Sequence, residues 1–123
     1  MRYGGGMEGI VELFRPVGQN ELALIEQSGF TAFPPRLPEQ PIFYPVLTEK
    51  YAIEIASRWN AIDVKKGYVT RFTVSDEYIS KFDIQTVGAS YHREYWIPAE
   101  ELEVFNDNIL GLIDVIHEFG SDS

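Results

Sequence analysis

The sequence predicts one small α+β domain, in which short strands form a mostly antiparallel sheet or split sheets and three to four short helices pack against them. Short segments typical of strands alternate irregularly with segments of helical spacing, and no internal repeat is present. The chain has 123 residues, of which 45% are hydrophobic. This length and composition suit a single domain with a single core.

The predicted domain has a short flanking segment at each end. We expect residues 1–8, which include three consecutive glycines, to be an expression leader or a disordered terminus. Residues 9–119 form the predicted domain, and residues 120–123 form a disordered tail. The absence of cysteine excludes disulfides, thiolate nucleophiles and cysteine-ligated metals. No apolar run reaches the roughly 18 residues of a membrane span, so we expect a cytoplasmic protein without membrane contact.

The first predicted elements are a strand and a helix. Residues 10–14 are mainly apolar and predict a strand. We expect this strand to end at Arg15, because Pro16 has no N–H for a strand ladder. Helical spacing predicts a helix over residues 19–28, and Gly29 is suited to end it.

A proline-rich segment follows the first helix. Five of the seven prolines lie between Phe33 and Pro45. Prolines fix φ and favour extended neighbours, so we expect a stiff extended loop, with a short edge strand at residues 42–46. Its apolar side chains predict that it packs on the domain. Arg36 stands among these prolines, which makes it a candidate binding residue. The alternative is a packing or ion-pair role.

The middle of the chain predicts the most regular helix. Thr48 is suited to cap it, and its apolar face carries Tyr51, Ala52, Ile55, Ala56 and Trp59. A strand is expected over residues 67–74, with side chains that alternate between two faces. Ser75 is expected to cap a single helical turn that extends to residue 82. We expect Trp59 and Trp96 to pack in the core or at its rim.

The last third of the chain predicts three more strands and one helix. The strands are expected at residues 84–87, 94–97 and 112–116, and the helix at residues 99–106. A turn at residues 88–90 separates the first two of these strands.

Charge is distributed unevenly along the chain. The formal net charge is −9, and every lysine and arginine lies at or before Arg93. An acidic surface repels phosphate backbones, which disfavours nucleic-acid binding through a broad basic surface. It would attract a basic protein partner. The alternative interpretation is that the acidic residues only keep the protein soluble.

Several common catalytic motifs are missing from the sequence. No glycine-rich phosphate loop precedes a helix, and no serine stands in a nucleophile elbow. His92 and His117 have no metal-ligand spacing, so we expect no metal site.

His92 and Glu94 form a candidate catalytic pair. Side chains on a strand repeat every two residues, so the two groups should share one face. A carboxylate there could stabilise a developing cation, while Tyr95 or Trp96 limits the access of water. The alternative is an ordinary ion pair between Glu94 and one of three arginines, Arg15, Arg71 and Arg93. Arg71 on the middle strand would then be a structural partner of Glu94, or else a phosphate ligand.

Four blocks of sequence carry a resemblance to a known family. They are residues 13–18 (LFRPVG), 29–38 (GFTAFPPRLP), 67–72 (GYVTRF) and 94–102 (EYWIPAEEL). Together they resemble a group of small bacterial proteins labelled ADP-ribosylation/crystallin J1, and the similarity extends from Leu13 to Ile116. The order of elements also resembles a shortened ADP-ribosyltransferase fold.

The resemblance implies a set of roles for individual residues. In ADP-ribosyltransferases, an arginine at the end of the first strand binds the NAD phosphates, and a glutamate at the start of a late strand stabilises the oxocarbenium-like ribose. Arg15 and Glu94 would take these roles here. His92 lies two residues before the glutamate, where the family usually has Gln or Glu. Tyr44 and Tyr51 would stack on the nicotinamide.

Three functional hypotheses follow from the sequence. The first is an ADP-ribosyltransferase-like domain that binds NAD or a related nucleotide. The second is an acidic, non-catalytic binding protein of the immunity or antitoxin type, which neutralises a basic protein partner. The third is a self-associating domain without a ligand site.

Overall fold

The computed structural model describes residues 9–63 and 66–120, without the side chains of residues 59–63. The predicted leader at residues 1–8, the predicted tail beyond residue 120 and the predicted packing of Trp59 lie outside this part. In chain order the elements are β1 (Ile10–Gly18), α1 (Gln19–Gln27), β2 (Ile42–Phe43), α2 (Glu49–Asp63), β3 (Gly67–Ser75), α3 (Asp76–Ile79), β4 (Ile84–Thr86), β5 (Arg93–Tyr95), β6 (Ile97–Pro98), a 3₁₀ turn (Ala99–Glu101), α4 (Leu102–Asp107) and β7 (Ile109–Phe119).

The described residues confirm a small α+β domain with antiparallel strand pairs and four α-helices. β3 lies between β1 and β7 in a three-stranded sheet, while β2 pairs with β6 and β4 pairs with β5. Val46 forms isolated bridges to both Phe14 and Glu94. It therefore joins β1 to β5. None of the described helices is long and apolar enough to cross a membrane.

The three-stranded sheet has apolar side chains on both faces, since side chains alternate along each strand. One face lies on the main core, which includes Leu13, Val17, Phe33, Phe43, Phe72 and Phe105. The other face packs on α2 through Phe14, Val69, Ala52 and Ala56. Gly67 lets the start of β3 approach α2 closely, because a Cβ at this position would lie 2.5 Å from the carbonyl oxygen of Ala56.

β1 continues through Pro16, so the prediction that this strand ends at Arg15 is wrong. Pro16 pairs in register with Val69 of β3. The N–H of Phe14 donates to the carbonyl of Val46, on the side away from β3. Backbone groups two residues apart point to the same side, so the nitrogen of Pro16 also faces away from β3. No hydrogen bond of the β1–β3 ladder is lost.

Three other strand predictions need correction. The edge strand expected at residues 42–46 is shorter, since β2 covers only Ile42–Phe43. The strand expected at residues 94–97 is divided at Trp96, because β5 pairs with β4 whereas β6 pairs with β2. The last strand is longer than residues 112–116 and begins at Ile109. Gly111, with φ of 80°, lies where the pairing of β3 and β7 is irregular.

The predicted helix caps are confirmed. The Thr48 hydroxyl accepts the N–H of Tyr51 at 3.2 Å, and the Ser75 hydroxyl accepts the N–H of Tyr78 at 3.3 Å. These bonds satisfy N–H groups that have no partner within the helix. At the end of α1, Gly29 has φ of 77°, as expected for a residue that terminates a helix.

The proline-rich loop packs on the domain at some positions and is exposed at others. Phe33 and Phe43 are buried, whereas Leu37 and Tyr44 are exposed. The side chain of Asn106 accepts the N–H of Phe33 at 2.9 Å and donates to its carbonyl at 3.0 Å. One amide from α4 therefore anchors the start of the loop that carries Arg36.

Replacing Asn106 should loosen this anchor. Asn106→Ala removes both hydrogen bonds to the buried Phe33 backbone, so we expect the free energy of unfolding to fall by about 1–3 kcal/mol. Asn108→Ala is the matched control, because its side chain makes a single exposed bond, to the carbonyl of Val104. The control should lose no more than about 0.5 kcal/mol. Urea unfolding measures both, and equal losses would contradict the assigned anchor.

Candidate functional site

An open hollow of about 480 Å³ lies beside β1, next to the bridge through Val46; we call it the central hollow. It brings together four of the sequence-predicted site residues: Arg15, Arg36, Tyr44 and Glu94. Its full lining consists of Arg15, Pro16, Glu21, Arg36, Gln40, Tyr44, Val46, Ile55, Glu94 and Trp96.

Arg15 is buried in the second half of β1, and several partners hold its guanidinium. Its Nε and Nη2 donate to the two carboxylate oxygens of Glu21 at 2.7 and 2.9 Å. Its Nη1 donates to the carbonyl of Tyr44 at 3.3 Å, and its guanidinium lies 4.6 Å from the ring centroid of Phe43. α1 begins directly after β1, and this places Glu21 in the first turn beside Arg15. The paired geometry fixes the direction of the guanidinium.

Arg36 enters the same cluster from the proline-rich loop. Its Nη1 lies 3.6 Å from Glu21, and its side chain is only 9% exposed. Its Nε is the one fully buried side-chain nitrogen or oxygen in the described part of the chain without a hydrogen-bond partner. Burial and the nearby Arg15 lower the pKa of Arg36. Two guanidinium groups thus share one carboxylate, which leaves a positive charge that favours an anion.

Glu94 also lines the central hollow, and two donors hold its carboxylate. The hydroxyl of Tyr51 donates to Oε1 at 3.0 Å, and the indole N–H of Trp96 donates to Oε2 at 2.7 Å. Glu94 is 8% exposed. Burial, followed by the bond to this carboxylate, raises the pKa of Tyr51 to about 12. The carboxylate is therefore fixed in place before any ligand arrives.

His92 supports Glu94 indirectly. Its Nδ1 accepts the N–H of Ala89 at 3.0 Å, so its Nε2 carries the proton and donates to Glu54 at 2.9 Å. Its ring stacks on Tyr51, with centroids 4.5 Å apart. Hydrogen bonds from Tyr91 and His92 lower the pKa of Glu54. His92 is outside the lining of the central hollow and acts on Tyr51, which in turn contacts Glu94.

Arg71 is not a partner of Glu94, so that alternative is wrong. Across the sheet, Arg71 pairs with Phe14, Phe14 with Val46 and Val46 with Glu94. Three strand spacings, about 14 Å, separate the first residue from the last. Arg71 instead forms ion pairs with carboxylates on its own sheet, those of Glu12 at 3.7 Å and Asp114 at 3.6 Å.

Sequence reasoning missed Glu21, the carboxylate shared by the two arginines. A usable signal was present, since Glu21 stands six residues after Arg15, across a junction where a strand meets a helix. Trp96 was expected to pack in the core or at its rim, or to limit the access of water. It is 44% exposed, and its N–H donates directly to Glu94.

A second hollow of about 760 Å³ lies on the other side of Arg36; we call it the outer hollow. It shares Glu21, Arg36 and Gln40 with the central hollow. Its remaining lining consists of Gly18, Gln19, Asn20, Leu24, Pro34, Pro35, Leu37 and Lys66. Within residues 9–63 and 66–120, no group of three or more metal-ligating side chains is clustered.

No protein-family model and no curated protein matches this chain. The function is therefore inferred from the chemistry of the two hollows.

The titration of Tyr51 tests the hydrogen bond that holds Glu94. The pKa of a free tyrosine phenol is about 10, whereas folding raises the pKa of Tyr51 to about 12. The stabilisation from neutral Tyr51 is therefore fully present below the unfolded pKa and is lost as the pH rises through the folded value. The difference in tyrosinate absorbance between the native chain and Tyr51→Phe isolates this group.

In the folded protein we expect this absorbance difference to appear only at a pH well above the ordinary phenol pKa. In urea it should appear at the ordinary phenol pKa. A difference signal that develops at the ordinary pKa in both conditions would contradict the buried hydrogen bond to Glu94.

Proposed function

We propose that this chain is a small ADP-ribosyltransferase-like domain whose central hollow binds NAD or a related nucleotide. One observation carries the proposal: Arg15 of β1 and Glu94 of β5, which are 79 positions apart in their numbering, line the same hollow. These are the two positions to which the family resemblance assigns phosphate binding and ribose stabilisation. We propose both the ADP-ribosyltransferase-like fold and the binding of the nucleotide.

The cationic side of the central hollow suits the nucleotide phosphates. Arg15 and Arg36 present guanidinium groups to it, and Glu21 neutralises only one of the two charges. Arginine binds phosphate well because its planar fork donates two parallel hydrogen bonds. Glu21 already accepts two hydrogen bonds from the guanidinium of Arg15. A phosphate would therefore bind beside this carboxylate, attracted by the positive charge of the two arginines that Glu21 does not neutralise.

The acidic side of the central hollow suits the reacting ribose. When the bond between ribose and nicotinamide breaks, its electron pair leaves with nicotinamide and positive charge develops on the ribose. The carboxylate of Glu94 would stabilise this charge. Tyr51 and Trp96 hold both carboxylate oxygens, so little reorganisation is needed as the cation forms.

Tyr44 and Trp96 are the aromatic groups available to a planar ring. Both are exposed at the central hollow, with ring centroids 6.3 Å apart and planes nearly perpendicular. The ring of Tyr51, by contrast, stacks on His92. In this proposal Tyr44 and Trp96 contact the nicotinamide, and Tyr51 positions Glu94.

Nucleotide binding can be measured through the fluorescence of Trp96 in a Trp59→Phe background. We expect a saturable change on titration with NAD, and Arg15→Ala should weaken binding roughly tenfold, equivalent to about 1.4 kcal/mol. Glu94→Gln keeps the size of the side chain but removes its charge. It should leave NAD affinity within about threefold and slow nicotinamide release by roughly a hundredfold.

Arg58→Gln is the matched control, because Arg58 is exposed on α2 and lies outside the lining of both hollows. It should leave binding and release unchanged, while circular dichroism verifies the fold of each variant. Absence of both a saturable signal and nicotinamide release at millimolar NAD would overturn the proposal.

A second candidate function is that of an acidic binding protein for a basic partner. β7 lies at the end of the three-stranded sheet, and Leu110, Leu112 and Val115 are exposed along it. Asp114 and Glu118 add acidic groups to the same strand, where they form ion pairs with Arg71 and Lys66. A terminal strand can accept a further strand through its backbone. A basic extended segment would suit this edge, whereas a second copy would bring like charges together.

An extended peptide of alternating lysine and valine tests this second function. We expect it to bind, with an affinity that falls at least roughly tenfold between about 50 and 500 mM salt. Leu112→Glu should disrupt binding, while Leu24→Glu, a similarly exposed leucine on α1, should not. Equal binding of a peptide with glutamate in place of lysine would exclude the charge-complementary partner, and sizing chromatography would then detect self-association.

A further inference from the structure

We propose that the outer hollow is a separate binding site for a phosphate group, formed by the first turn of α1 together with Arg36. The ligand is either free phosphate or a phosphate monoester on a small polar molecule. This site goes beyond the nucleotide hollow, and it does not require that NAD binds.

The first turn of α1 opens into the outer hollow. α1 has nine residues and begins after Gly18, whose backbone is extended, with φ of −90° and ψ of −177°. Glycine has no side chain to accept a hydrogen bond from the helix, and no side chain caps this end. The first N–H groups of a helix lack partners within it and carry partial positive charge. Gly18, Gln19 and Asn20 all line the hollow.

Arg36 supplies a second and independent observation. Its side chain is more than nine-tenths buried, it lines the same hollow, and its Nε has no hydrogen-bond partner. A buried donor without an acceptor costs about 1–3 kcal/mol. An anion in the hollow would satisfy this donor after a small rotation of the guanidinium, and an oxyanion can accept from Arg36 and α1 together.

The local charge agrees with this assignment. Arg15 and Arg36 share the single carboxylate of Glu21, so positive charge is concentrated here in a chain whose net charge is −9. Lys66 lies at the rim, in an ion pair with Glu118 at 3.3 Å. A broad polyanion would be repelled by the rest of the surface, whereas a compact phosphate meets only the local field.

The size and walls of the outer hollow limit the ligand to a small one. A volume of about 760 Å³ exceeds that of one phosphate ion, so there is room for an attached group. The exposed side chains of Leu24 and Leu37 provide an apolar wall next to the amides of Asn20 and Gln40. A sugar phosphate has both the charge and the mixed polarity that this lining accommodates.

Titrations of the full chain without nucleotide test the site, with inorganic phosphate, ribose 5-phosphate and ribose as three separate probes. Binding is followed in the backbone amide NMR spectrum. We expect saturable shifts at Gln19, Asn20 and Glu21 with both phosphates and none with ribose. Tighter binding of the sugar phosphate identifies a phosphorylated small molecule as the ligand, and equal affinity identifies free phosphate.

Two variants separate binding from folding. Arg36→Gln should weaken phosphate binding at least roughly tenfold, whereas Arg58→Gln should change it less than about twofold. Asn20→Asp places a carboxylate in the first turn of α1, which should stabilise the helix and also repel phosphate. Opposite signs for stability and affinity are expected only if the anion binds at this helix end.

Affinity should also fall as the pH drops through the second pKa of a phosphate monoester, about 6. Shifts that never saturate, or that persist unchanged in Arg36→Gln, would overturn the proposed site. Because no NAD is present in these titrations, that result would not bear on the central hollow, which is tested separately by the titration with NAD.

Discussion

Two guanidinium groups that share one carboxylate hold the candidate site together. Arg15 extends from β1, Arg36 from the proline-rich loop, and Glu21 from the first turn of α1 lies between them. The cluster therefore fixes three separate segments against one another. Since an uncompensated charge is unfavourable in a buried place, the arrangement favours an anion on either side of Arg36. The phosphate sites proposed for the two hollows both use the local positive charge of this cluster, and the central hollow also contains the carboxylate of Glu94.

A second set of contacts positions the carboxylate that lines the central hollow. Glu94 is held by Tyr51 and Trp96, and Tyr51 is held in turn by the ring of His92. His92 is oriented by Glu54 of α2, so the helix under one sheet face helps to position a group at the sheet edge. The central hollow is lined by two guanidinium groups and by the fixed carboxylate of Glu94. This combination suits a ligand that has an anionic part and a centre where positive charge develops.

The helix caps and several individual site residues could be predicted from the sequence. Contacts between strands that are distant in the chain could not. The helix caps follow from neighbouring residues and were predicted. The apolar side chains of the loop were predicted to pack, and Phe33 and Phe43 do so, whereas Leu37 and Tyr44 are exposed. The effect of Pro16 was predicted wrongly, because a proline can stand within β1 when its nitrogen faces away from β3, and the sequence does not show on which side the partner strand lies. Arg71 was misplaced because its distance from Glu94 depends on strand order, which periodicity does not encode. Glu21 was missed because, although it follows Arg15 by six residues across the junction of β1 and α1, only the tertiary fold brings Arg36 to the same carboxylate.

The most direct test of the account is the NMR signal of the Trp96 indole N–H during a titration with NAD. This proton is donated to Glu94 and lies at the central hollow, so a bound nucleotide should shift it together with the amides of Arg36 and Tyr44. We expect a saturable shift confined to that hollow. An unshifted indole signal at saturating NAD, or shifts confined to the sheet face around Arg71, would contradict it.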